Sequence, residues 1–118
     1  MTQDDLKDRT KKYGLRMMKL SDALPKTNSG KVIGNQLLRS GTSVGANYRA
    51  ACRARSKTEF IAKLGVVAEE ADECAFWLEL IMEGQLLKLR LIESLYQETK
   101  ELIAIFTTTL KSAKSKKL

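Results

Sequence analysis

The chain has 118 residues, 43% of them hydrophobic and 30% charged, which is enough for one domain around a single core and excludes an intrinsically disordered chain. Its 21 Lys and Arg against 14 Asp and Glu leave a net charge of +7, and it contains no histidine; most catalytic and metal-binding arrangements, which are built on imidazole, are thereby removed. No apolar run approaches the roughly 18 to 20 residues of a membrane-spanning helix, and Asp4 and Asp5 stand where a signal peptide would carry bases, so a cytoplasmic protein is expected.

From Asp4 to about Leu24 the apolar residues Leu6, Tyr13, Met17, Leu20 and Leu24 recur at helical spacing, with two acids at the positive N-terminal end. Pro25 and the polar run Lys26 to Gly30 close this first helix. A second helix is expected from Lys31 to about Cys52, with Ile33, Leu37, Val44, Tyr48, Ala51 and Cys52 on one side. Gly34, Gly41 and Gly45 fall on that same side. A glycine inside a helix costs about 1 kcal/mol relative to alanine, so three of them on an apolar face imply the close approach of another helix.

Ser56-Lys57-Thr58-Glu59 has the form of a capping box and opens a third helix. Phe60, Leu64, Val67, Ala71, Cys74, Leu78 and Ile81 form its core stripe, and Gly84 is its stop. The last helix is expected from about Lys88 to Lys111, with Leu91, Leu95, Leu102, Phe106 and Leu110 inward, followed by a short basic tail over about 111–118. Cys52 and Cys74 are too far apart to read as a zinc knuckle or redox pair and are expected to be reduced core residues. Four long helices with short connections and no strand-period segment bury their stripes side by side. The expected fold is therefore all-α, a single domain over 1–118 built as an antiparallel up-down-up-down four-helix bundle.

The run Arg39-Ser40-Gly41-Thr42-Ser43-Val44-Gly45-Ala46-Asn47-Tyr48-Arg49-Ala50-Ala51, continued by Arg53-Ala54-Arg55-Ser56-Lys57-Thr58-Glu59-Phe60, resembles the signature of four-helix bundle proteins related to those encoded in intervening sequences of bacterial 23S ribosomal RNA genes. Many members have Ile-Ala-Glu-Gly after the asparagine. Tyr48-Arg49-Ala50-Ala51 here puts a base in place of the acid and resembles a subset of that family. The later Glu69-Glu70-Ala71-Asp72-Glu73 and Trp77-Leu78-Glu79-Leu80 are similar too, and the likeness spans roughly residues 15 to 110. The resemblance implies a cytosolic four-helix bundle assembled as a homopentameric ring. It also brings in relatives that serve as accessory proteins of diversity-generating retroelements and bind nucleic acid there.

The charges are sorted along the chain. Residues 1–22 carry six bases and four acids, 23–58 seven bases and no acid, 59–83 one base and seven acids, and 84–118 seven bases and three acids. Arg39, Arg49 and Arg53 fall on one outward side of the second helix, and Arg55 and Lys57 continue the run. A phosphate backbone fits such a face, because guanidinium groups fork onto phosphate and a positive field attracts polyanions. A solvated basic face, or a subunit interface, has the same pattern. Interleaved aromatics for reading single-stranded bases are missing, so sequence-specific binding is not expected. Lys111, Lys114, Lys116 and Lys117 in the tail are either further nonspecific contacts or a solubilising terminus.

Opposite the core stripe of the third helix, Phe76 and Leu80 lie in line with Glu69, Glu73 and Glu83. Large apolar residues inside an acidic stripe suggest a contact surface, complementary to the basic second helix of a neighbouring subunit. The plainer alternative is that Phe76 and Leu80 meet a helix end or loop of their own subunit. A carboxylate-bridged metal pair commonly needs Glu-x-x-His from two helices, and a phosphate-binding glycine loop needs Gly-Lys-Ser/Thr after it; Gly41 to Gly45 lacks that. No catalytic residue, metal or cofactor is therefore expected. Two readings stay open beside a remote enzymatic one: an oligomeric nucleic-acid-binding accessory protein using Arg39, Arg49, Arg53, Arg55 and Lys57, and a scaffold for a protein partner in which those bases meet Glu69, Glu70, Glu73 and Glu83 across subunits.

Overall fold

A computed structural model describes residues 1–115 of the chain. Four α-helices follow one another, α1 over Gln3–Ala23, α2 over Asn28–Cys52, α3 over Lys57–Glu83 and α4 over Glu93–Ser115, with one 3₁₀ turn at Leu89–Leu91 before the last. They form the expected all-α, antiparallel up-down-up-down bundle, 51 × 21 × 19 Å overall. Sequence neighbours pack side by side, and α1 closes the square against α4. Among the described residues no helix is long and apolar enough to cross a membrane.

The helix ends follow from local chemistry. Thr2 and Asp5 make a reciprocal cap at the start of α1, each side chain accepting the other's backbone N–H at 3.0 Å. At Ser56 only half of the expected box forms, with Ser56 Oγ accepting from the Glu59 N–H. Thr27 caps α2 by accepting the Gly30 N–H at 3.2 Å, which starts that helix at Asn28, three residues before the expected Lys31.

The end of α3 departs from the expected glycine stop. The Leu86 N–H bonds to the Ile81 carbonyl and the Gln85 N–H to that of Met82, the paired closure of a Schellman motif. In that motif the left-handed position belongs to Gln85, at φ 56°, while Gly84 stays right-handed. A Cβ on Gly84 would lie 2.7 Å from the Leu80 carbonyl oxygen, so glycine suits that position although its φ is right-handed. Gln85→Gly is expected to raise stability by about 1 kcal/mol, since an L side chain in the left-handed region is strained by that order; urea unfolding reads it, and a neutral or negative effect would mean that the Gln85 side chain makes up for the strain.

Tyr13 and Met17 from α1, Leu37 and Val44 from α2, Leu64, Val67, Leu78 and Ile81 from α3, and Leu102 and Phe106 from α4 are the fully buried centre. The expected stripe holds except at its edges. Phe60, Ile33, Leu110 and Cys52 are half-buried against the core, and Leu91 is 52% exposed while Ile92 is wholly buried. The 3₁₀ turn winds more tightly than an α-helix and shifts the phase, so the inward position falls on Ile92.

Buried hydroxyls are satisfied and join the helices. Tyr13 Oη lies 2.6 Å from Thr99 Oγ1, which itself bonds to the Leu95 carbonyl, and Cys74 Sγ lies 3.4 Å from Ser40 Oγ. At the edge of α1 and α4 the Arg9 guanidinium forks onto Glu98 at 2.7 and 2.6 Å and reaches Glu101 at 2.9 Å.

Burial pushes the Cys74 thiol up to about 11 and raises the Tyr13 phenol as well. An unfolded thiol ionises near 8.5. The unfolded chain therefore binds fewer protons than the native one between these values, and stability should be intact below about pH 8 and fall as pH rises towards 11. Urea midpoints at neutral and alkaline pH check this, and Cys74→Ala should flatten part of the decline; an unchanged profile in that variant would remove Cys74 as a cause.

Candidate nucleic-acid interface

The three arginines Arg39, Arg49 and Arg53 stand at separate places along the second helix and its C-terminal cap. Arg39 lies near the middle, where its guanidinium reaches back to α3, bonding to both oxygens of Glu70 at 3.3 and 3.1 Å and to Glu73. Those bonds raise the Arg39 pKa, Glu73 contributing most. Burial pushes the Glu70 carboxyl up, and the nearby Glu73 adds to this against the pull of Arg39. Arg39 thus holds two crowded carboxylates of its own chain together. Fourteen residues further on, about 20 Å along the helix, Arg53 stands at the C-terminal cap of α2.

Arg49 lies between them, exposed on the rim of a groove between α1 and α2 that Lys7 and Lys11 also line. Arg53 and Arg55 project from the connection to α3, both exposed, and Arg55 faces Glu59 only at 3.9 Å. Among the described residues neither Arg49 nor Arg53 has an ion-pair partner. Lys57 is half-buried as the first residue of α3.

The antiparallel order then adds bases that lie far away in sequence. α1 begins, α2 ends, α3 begins and α4 ends at one end of the bundle, as the Tyr48 and Phe106 rings 5.6 Å apart record. Exposed Lys111 and Lys114 on the last turns of α4 therefore share that end with Arg53, Arg55 and the Lys7–Lys11 side of α1. Lys116 and Lys117 of the basic tail lie outside the described residues. Asp4, Asp5, Asp8 and Glu59 are acids of this end, Asp5 engaged in its cap, and Glu98 and Glu101 reach the Lys7–Lys11 stretch through their bonds to Arg9.

On α3, Glu69, Phe76, Leu80 and Glu83 all face outward, with Phe76 52% and Leu80 37% exposed. Glu73 is half-buried and turned to Arg39 within the subunit. The Phe76 ring meets Trp77 edge-on, with ring centres 5.1 Å apart. Sequence reasoning passed over the two exposed apolar residues of α1, Leu15 and Met18. Their signal was present, since both lie off the stripe that runs through Tyr13, Met17 and Leu20. Arg9, whose partners lie about ninety positions away, carried no sequence signal.

Among the described residues no group of three or more His, Cys, Asp or Glu side chains is placed to hold a metal ion.

The model of one protein family, described as 23S rRNA-intervening sequence protein, matches residues 4–108. The crystal structure of a protein with unknown function from the S23 ribosomal protein family of Bacteroides thetaiotaomicron VPI-5482 superposes with a TM-score of 0.85 at 32% sequence identity. That alignment covers 94% of this chain and 99% of the other. No curated protein matches the chain.

Proposed function

We propose that this chain, which belongs to the 23S rRNA-intervening sequence protein family, is a non-enzymatic, self-assembling bundle that binds nucleic acid through its basic end without reading sequence. The observation that carries the proposal is the gathering of Arg53, Arg55, Lys111 and Lys114 at one end of the bundle from segments more than fifty residues apart. Exposed guanidinium and ammonium groups without strong partners have their full charge to offer to phosphates. Arg39 makes a smaller contribution, because Glu70 and Glu73 already occupy its fork. Among the described residues this end presents no fully exposed aromatic ring for stacking on bases: Tyr48 and Phe106 pack against each other inside, and Phe60 is half-buried against the core. Either RNA or DNA therefore serves as ligand, and no cofactor takes part.

Self-assembly belongs to the same reading. A single bundle end offers few phosphate contacts, and a homo-oligomer multiplies them; five copies is the number that the family resemblance implies. The bundle acts in the cytoplasm, where nucleic acid is at hand, and its task is accessory to whatever acts on that nucleic acid.

Fluorescence anisotropy with a labelled RNA hairpin and a DNA duplex of equal length, titrated across salt concentrations, tests this. Binding to both is expected, with affinity falling steeply as salt rises, by a log–log slope of about −3 to −4 for four phosphate contacts on duplex. Arg53→Glu/Arg55→Glu should weaken it by about tenfold or more at low salt and leave the oligomer intact. Absence of binding at low salt, or binding indifferent to both salt and the double substitution, refutes the nucleic-acid reading.

A further inference from the structure

The connection from α3 to α4 is apolar and basic where a surface connection is ordinarily polar. Gln85-Leu86-Leu87-Lys88-Leu89-Arg90-Leu91 holds four leucines and two bases and no acid. Leu86 and Leu87 are half-buried against the core, whereas Leu89 and Leu91 are 53% and 52% exposed. Their exposure has a local cause. The Ile92 N–H closes the 3₁₀ turn on the Leu89 carbonyl, and the tighter winding turns Ile92 inward in place of Leu91. Leu91 therefore stands in solvent although its spacing to Leu95 is that of a core residue.

Leu87 and Leu91 form a wall with a depression on either side. Towards α1 lies a groove of about 260 Å³, floored by the buried Leu20 and Leu95 and flanked by Arg16, Lys19 and Ala23. On the other side Met82, Leu86 and Leu89 line a wider depression together with Lys88 and Arg90. Neither is lined by an acid. Arg16, Lys19, Lys88 and Arg90 are all exposed, and among the described residues none of the four has an ion-pair partner. Arg16 reaches α4 through a 2.9 Å bond to Ser94 Oγ, which holds its guanidinium beside the groove. Asp22, Glu83 and Glu93 are exposed acids of the same end and stand outside both linings.

We propose that this surface seats an acidic amphipathic helix of a partner protein, with an apolar anchor on each side of the Leu87–Leu91 wall and carboxylates set against Arg16, Lys19, Lys88 and Arg90. Charge complementarity selects the occupant: an apolar floor rimmed by four bases and no acid matches apolar side chains carried among Asp and Glu. An amphipathic helix supplies both, because anchors a turn or two apart share one face and acids fill its flanks. Nucleic acid would satisfy the four bases and leave the leucines wet. A flat anionic bilayer would take up Leu89 and Leu91 and leave Leu20 and Leu95, at the bottom of the groove, out of reach. The site is formed where α3 ends and α4 begins, the end opposite to Arg53, Arg55, Lys111 and Lys114. Protein at one end and nucleic acid at the other are therefore bound without competition. The inference goes beyond the proposed function and does not depend on it.

Fluorescence anisotropy of the full chain with a labelled, designed helical peptide of about 18 residues, leucines on one face and glutamates elsewhere, tests it. At about 0.15 M salt, where charges at the far end of the bundle are screened, the peptide should bind. A peptide of the same composition with its leucines spread around the helix should bind about tenfold more weakly or less. Leu91→Asp and Arg16→Glu/Lys19→Glu should each weaken binding by about tenfold or more and keep wild-type helicity by circular dichroism, since these positions are exposed. Leu89→Asp, also exposed, should act in the same direction and guards against a folding defect at Leu91. Arg53→Glu/Arg55→Glu makes the same change of net charge at the other end, and Met18→Asp spoils the α1–α2 groove; both should bind within about twofold of wild type. Loss in Arg53→Glu/Arg55→Glu equal to that in Arg16→Glu/Lys19→Glu reduces the effect to net charge, and loss in Met18→Asp alone moves it to the other groove; either overturns the proposal. So does a peptide that fails to bind, or binding indifferent to Leu91→Asp. Cosedimentation with phosphatidylcholine–phosphatidylglycerol vesicles that requires Leu89 and Leu91, where the peptide does not bind, assigns the surface to a membrane instead.

Discussion

Gly41→Ala is expected to lower the stability of the bundle by about 1 to 3 kcal/mol, whereas Gly65→Ala is expected to raise it by up to about 1 kcal/mol. The chemical change is the same and the surroundings are opposite. A Cβ on Gly41 would stand 2.4 Å from Met17 Cγ and 2.8 Å from Met17 Cβ, and Met17 is wholly buried in α1 with nowhere to turn. A Cβ on Gly65 would meet nothing within 4 Å, so only the gain in helix propensity remains. Gly30→Ala should cost more than either, because its Cβ would fall 1.9 Å from the backbone oxygen of Pro25 and the α1–α2 connection itself would have to move. Urea unfolding of the three variants decides the matter. Equal effects at Gly41 and Gly65 would mean that α1 yields freely to α2, contrary to the packing.

Phe106→Ala should lower stability by about 3 to 5 kcal/mol, and Phe106→Leu by no more than about 1.5 kcal/mol. The ring is wholly buried and lies 5.6 Å from that of Tyr48, tilted by 41°. It therefore joins α4 to α2 across the diagonal of the square, where neither helix is the other's direct neighbour. Truncation to alanine removes the transfer energy of the ring and leaves a cavity that four rigid helices cannot all close. A double-mutant cycle with Tyr48→Leu separates the two contributions. Coupling of about 0.5 to 1.5 kcal/mol is expected for the ring pair, and none would assign the whole loss to the cavity.

Much of this architecture is legible in the spacing of residues. Apolar residues at helical period announce four helices, because a stripe at that spacing can be buried only by a helix laid against its neighbours. The glycines of α2 announce a close approach for the same local reason, and α1 is the helix that approaches: Gly34 lies against Ser21 and Leu24, Gly41 against Met17, and Gly45 against Thr10. The helix ends were less readable. Thr27 outcompeted Lys31 as the start of α2 through a single hydrogen bond, and the end of α3 placed Gln85, not Gly84, in the left-handed position. Each depends on which closure the neighbouring chain allows, and periodicity does not record that.

Charges show the limit most clearly. A helical wheel puts Arg39, Arg49 and Arg53 on one side of α2, and the bundle gives them different surroundings: the carboxylates of α3, the groove beside α1, and open solvent at the bundle end. Likewise Glu73 lines up with Glu69 and Glu83 on α3, yet it alone of the three turns to Arg39. The sequence by itself determined the number of helices, the face each buries, the absence of imidazole chemistry and the segregation of charge, because these depend on residues a few positions apart on one helix. Only the tertiary structure decided which charges are consumed within the chain, which apolar residues stay in solvent and which distant bases share an end. Those depend on how one helix is placed beside another, and a side chain's partner across a helix interface leaves no mark in its own neighbourhood of the sequence.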